Sequence, residues 1–134
     1  LNQSNAQGQT LNLVIPVGTF ADVDNGDTLS YTATLAGGAA LPTWLDFNAT
    51  TGAFSGTPAN GDVGSLNLVV AATDGGGLSA ASTFTLIIDN VNDAPVITSN
   101  AGGQTADVSI PENTTLVATL TASDADGDTL TYSI

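Results

Sequence analysis

The chain has 134 residues with 13 acidic side chains (twelve Asp and one Glu), no Lys, Arg or His, and a formal charge of −13. With no cation to neutralise phosphate, this argues against nucleic acid or anionic membrane surfaces as partners. Without His, Cys or Lys there is no Ser-His or Cys-His pair, thiolate, Schiff-base amine or ordinary zinc site, so the chain is read as non-enzymatic and any bound metal as a hard, oxygen-liganded ion.

In chain order, Leu1-Asn2-Gln3-Ser4 opens without a basic region or an initiator Met, as a piece of a longer polypeptide would. Asp22-Val23-Asp24-Asn25-Gly26-Asp27 is the first acidic turn. Thr28–Leu35 alternates apolar and polar residues, which predicts a half-buried strand. Leu41-Pro42-Thr43-Trp44-Leu45 reads as a segment tucked against a core, with Trp44 covering it; stacking of Trp44 on a sugar ring is the alternative.

Turn signals follow at Asn60-Gly61 and at Asp74-Gly75-Gly76-Gly77, on either side of a predicted strand at Leu66–Thr73. Thr83–Ile88 and Thr115–Ala122 repeat the strand pattern, rich in the β-branched residues that suit a pleated surface. Asp124-Ala125-Asp126-Gly127-Asp128 is the second acidic turn. Helical periodicity is absent beyond one short turn. No stretch is long and apolar enough to span a membrane as a helix. Short strands at this spacing predict an all-β, immunoglobulin-like antiparallel sandwich.

The two acidic turns belong to an internal repeat. Phe20–Tyr31 aligns with Ala122–Tyr132, at an offset of roughly 100 residues, about one sandwich domain. Val91-Asn92-Asp93-Ala94-Pro95-Val96 lies between the copies, and its proline suits a junction. The expected domains are residues 1–93 and, as the first part of a second repeat, residues 94–134. Some 40 residues cannot bury a sandwich core alone, so the second repeat needs strands from further chain or from another copy.

Crowded carboxylates repel, and Ca²⁺ is the usual remedy, since it takes six to eight oxygens at roughly 2.3–2.6 Å from flexible loops. Asp124 and Asp126 can reach one ion only if the segment bends, which Gly127 allows. Asp27 and Asp128 read instead as turn caps, and Asp62 and Asp107 as solvated.

Several motifs in order resemble bacterial cadherin-like repeats. They are Asn92-Asp93-Ala94-Pro95, then Pro111-Glu112-Asn113, then Ala122-Ser123-Asp124-Ala125-Asp126. The first domain is similar to the dystroglycan-type variant, through Leu41–Phe47 and Thr51-Gly52-Ala53-Phe54-Ser55-Gly56-Thr57-Pro58. The resemblance implies calcium at the junctions between repeats. Carried over by position, it implies Asp89, Asn92, Asp93, Glu112, Asp124 and Asp126 as ligands around the linker, with Asp22, Asp24 and Asp74 in the first domain. The first domain departs from the pattern: a Gly56–Asp62 turn replaces its Leu-Asp-x-Glu element, and Val14–Gly18 stands where a Glu is expected. One or two ions are therefore expected rather than three.

The resemblance further implies a structural, adhesive module of an extracellular or cell-surface tandem-repeat protein. Its partners would be neighbouring repeats, other copies of itself, or surface glycans and proteins. The alternatives are a subunit of an extracellular filament joined by strand complementation, and a carbohydrate-binding module of a secreted protein.

Overall fold

The computed structural model describes residues 2–23, 28–99, 102, 109–115 and 119–133. The chain divides into two compact units, Leu1–Val91 and Asn92–Ile134.

The first unit is a two-sheet sandwich. Among the described residues seven strands build it: β1 (Asn2–Ala6), β2 (Leu11–Val14), β3 (Ser30–Leu35), β4 (Leu45–Asn48), β5 (Ala53–Gly56), β6 (Gly64–Thr73) and β7 (Ser79–Asp89). One sheet has the order β1-β7-β6-β3 and the other β2-β5-β4. Every pairing is antiparallel except β1 on β7, which run parallel. β2-β5-β4 facing β7-β6-β3 is the immunoglobulin-like arrangement, with β1 added on the β7 edge.

Alternation explains why these segments sit where they do. On β6, Leu68, Val70 and Ala72 are buried and the residues between them point away. Leu86 and Ile88 on β7 face the same way, against Leu11 of β2, Leu45 of β4 and Phe54 of β5. Phe54, Leu68 and Leu86 are fully buried, and burial of each such side chain contributes roughly 1.5–3 kcal/mol. Phe54 is flanked by Phe47 at 4.6 Å and Phe84 at 5.7 Å between ring centroids. Trp44 is half-buried and packs on this core, as expected of it.

The strands expected in the first unit are present with shifted ends. Thr28 and Leu29 lie outside β3; β6 begins two residues before Leu66; β7 reaches back to Ser79 and on to Asp89. The one short helical turn is a 3-10 segment, Asn60–Asp62. Asp62 is not simply solvated there: its Oδ2 accepts the Ala59 amide at 2.8 Å and so closes the turn.

In the second unit, β8 (Val96–Ile97) pairs antiparallel with β9 (Ala122–Ser123). Thr98 Oγ1 and Thr121 Oγ1 extend that contact at 3.0 Å. Of the strand expected at Thr115–Ala122, positions 116–118 lie outside the described residues, and Ala122 alone is paired. Asp107 also lies outside them.

Candidate metal centre

In the first unit, Asp22 and Asp74 line one hollow at the end of the sandwich, together with Phe20, Leu29, Leu78 and Ser79. Asp74 sits where β6 ends, and its turn returns the chain into β7. Asp74 Oδ1 accepts the Leu78 amide at 2.8 Å, while the Asp74 amide donates to the Leu78 carbonyl at 3.0 Å. The carboxylate therefore shapes the turn while it lines the hollow. Asp24, the third acid expected with them, lies outside the described residues, as does Asp27. Asp89 is the exposed last residue of β7, and its carbonyl accepts the Gln7 amide at 3.0 Å.

In the second unit, the acidic turn folds on itself. Asp124 Oδ1 accepts the amides of Asp126 at 2.9 Å and Asp128 at 3.3 Å. The left-handed conformation of Gly127, with φ of 76°, lets the chain curl over that oxygen. The cap of this turn is thus Asp124, where Asp128 was the residue expected to do it. Two N–H donors hold a charged acceptor firmly, since charge-assisted bonds are the stronger kind.

Asp126 reaches the other way. Its Oδ2 accepts the backbone amide of Asp93, 33 residues earlier. Its Oδ1 is buried and has no hydrogen-bond partner. A buried carboxylate oxygen without a donor is costly, so among the described residues this atom is the strongest physical pointer to a cation. Asn92 Nδ2 donates to the Asp93 carbonyl at 3.0 Å, which fixes the approach to that contact. Glu112 is exposed, in a turn that Thr114 Oγ1 closes on the Pro111 carbonyl at 2.8 Å.

Among the described residues, no three acidic side chains converge closely enough to hold an ion by themselves. The structure brings together Asp22 with Asp74, and Asp93 with Asp126 and Asp124. The sequence marks a turn at Asp74-Gly75-Gly76-Gly77 and an acidic turn at 124–128, but not that the Asp74 and Asp124 carboxylates cap them. Their signal is the glycine that follows each within three residues, which frees backbone amides to fold toward the carboxylate.

Comparison with known proteins adds the following. A family model described as "Putative Ig domain" matches residues 1–89. Curated proteins give no match. Among solved structures, the chain is similar to an endo-fucoidan hydrolase of glycoside hydrolase family 107, at 25% identity and TM-score 0.54, over 68% of this chain and 13% of that one. It is similar to the protocadherin GammaB4 extracellular domain at 20% identity and TM-score 0.54, over 92% of this chain and 22% of that one. Human CDH23 EC21-23 is similar at 21% identity and TM-score 0.52, over 92% of this chain and 42% of that one. The chain thus spans less than half the length of each of these structures.

Proposed function

The chain belongs to the family described as "Putative Ig domain", and from that membership we propose that it is a structural, adhesive module of an extracellular tandem-repeat protein, stiffened by Ca²⁺. The single observation that carries the calcium reading is Asp126, with one oxygen held by the Asp93 amide and the other buried without a donor. The likeness to cadherin ectodomain structures supports the same reading of the fold's use.

The ligands we propose around the linker are Asp126, Asp124, Asp93, Asn92, Asp89 and Glu112. Asp22, Asp24 and Asp74 would serve a second ion. All are hard oxygen donors, the kind Ca²⁺ selects. With fewer than three acids converging among the described residues, backbone carbonyls and water would complete the shell, as they commonly do for this ion. Metal binding would tie the linker to the acidic turn and limit bending between repeats. Neighbouring repeats and other copies of the same protein are the partners this implies.

The test is thermal unfolding with millimolar Ca²⁺ and with EDTA. Ca²⁺ at about a hundredfold excess over Kd stabilises the folded form by roughly 2.7 kcal/mol, which raises Tm visibly. Superimposable melting curves would remove the calcium reading and leave an acidic sandwich module.

One observation favours a second reading, a filament subunit joined by strand complementation. The second unit carries an apolar groove lined by Pro95, Ile97, Leu120, Ala122, Leu130 and Tyr132, with Leu120 and Tyr132 more than half exposed. Fibres in electron micrographs of the native material would support it, and a strictly monomeric species would exclude it. The carbohydrate-binding alternative gains nothing comparable, because Trp44 is packed on the core.

A further inference from the structure

We propose that the outer face of the β1-β7-β6-β3 sheet is a self-association surface whose partner is the same face of a second copy. Charge singles this face out. Every charged side chain here is acidic, so two copies repel wherever their carboxylates meet. Among the described acids of the first unit, Asp46 stands on the other sheet, opposite Ser55. Asp22, Asp62 and Asp74 lie in turns and loops outside the strands.

The outward residues of the four-stranded sheet are of another kind. Its cross-strand rows read Thr34–Val69–Thr83 and, beside it, Asn67–Thr85–Asn2. The remaining outward positions are Ser, Thr, Ala and Ile87, until Asp89 ends β7. On a chain with a formal charge of −13, this is a broad face with a carboxylate only at its margin.

Its texture suits a like partner. Short side chains allow two sheets to approach closely, and Thr and Asn can donate as well as accept, so a face can satisfy its own copy. Thr85 Oγ1 already donates to Asn67 Oδ1 at 3.0 Å within the sheet. Ile87 is 39% exposed and Val69 partly so, which gives an apolar contribution. A two-fold axis would place each row against its equivalent, an isologous contact.

Area sets the strength. The four strands have 5, 11, 10 and 6 residues. At about 4.8 Å between strands and about 3.4 Å per residue they cover about 500 Å². Two such faces bury roughly 1,000 Å², the low end for a specific interface, so the association is weak and gains from display in arrays. The proposal goes beyond the calcium reading and stands without it.

Sedimentation equilibrium of the whole chain in EDTA, from micromolar to millimolar concentration, tests it. The weight-average mass should rise toward a dimer. Thr83→Glu, which sets a carboxylate at the centre of the face, should weaken association at least about tenfold. Asn12→Glu adds the same charge on the exposed outer side of the other sheet and should leave it unchanged. A monomer at every concentration, or equal loss with both variants, would overturn the proposal. Should Thr83→Glu fold poorly, concentration-dependent amide shifts of the unmodified chain decide instead. Shifts on outward residues of β3, β6 and β7 support the face; shifts on β2, β5 and β4 would overturn it.

Discussion

A β carbon placed on Gly56 would stand 1.9 Å from the Trp44 carbonyl oxygen. Gly56 ends β5, with φ of 154°, directly under the segment that carries Trp44 onto the core. Backbone rather than a movable side chain occupies that space. Gly56→Ala must therefore displace either β5 or the Trp44 segment. The expected cost is about 2–4 kcal/mol in chemical denaturation, in the upper part of the range for single substitutions. A cost below about 0.5 kcal/mol would mean that this contact does not hold in solution.

Phe54→Ala should cost about 3–5 kcal/mol, because Phe54 is fully buried and the cavity would open between both sheets. Phe47 and Phe84 lie on either side and cannot close it without leaving their own contacts. Trp44 is the single tryptophan, so its fluorescence reports the unfolding of the first unit directly.

These two residues also show what was legible beforehand. The strands at Leu66–Thr73 and Thr83–Ile88 are evident because alternation runs long enough to stand out. Thr51–Pro58 was recognised as a motif, yet the β4–β5 hairpin within reach of it was not. Each of those strands has four residues and only two apolar ones, too few for a period to show. The signal that marks the hairpin is Asn48, whose Oδ1 accepts the amides of Thr50 and Thr51. β1 has no local signal at all: Asn2-Gln3-Ser4-Asn5-Ala6 becomes a strand because β7 offers it a register. The acidic turns were visible as carboxylate clusters. Which oxygen faces an amide and which faces nothing depends on the path of the chain, so the fold alone makes Asp124 the cap and Asp126 the orphan.

Asp126→Asn tests the orphaned oxygen. The amide keeps an acceptor for the Asp93 N–H but supplies a donor and loses the charge. The calcium-induced rise in Tm should shrink or vanish, while Tm in EDTA should hold or increase, because a charge-bearing oxygen buried without a donor has been removed. Asp46→Asn, at an exposed position of β4 and outside the proposed ligand set, should leave the calcium response intact. Equal responses in the two variants would show that bulk charge, rather than Asp126, governs stability.

Asp74 separates turn-making from ligation. Its Oδ1 holds the Leu78 amide, a role an asparagine oxygen can also fill. Asp74→Asn should therefore preserve stability in EDTA to within about 0.5 kcal/mol, whereas Asp74→Ala should lose about 1 kcal/mol with the missing acceptor. Asp22 lines the same hollow, so a second ion there would depend on both carboxylates. Titration calorimetry distinguishes the cases. If Asp74→Asn binds as many calcium ions as the unmodified chain, Asp74 is a turn residue and the hollow is not a metal site. If one ion is lost while the EDTA melting curve is unchanged, the carboxylate acts as a ligand and not only as the anchor of the β6–β7 turn.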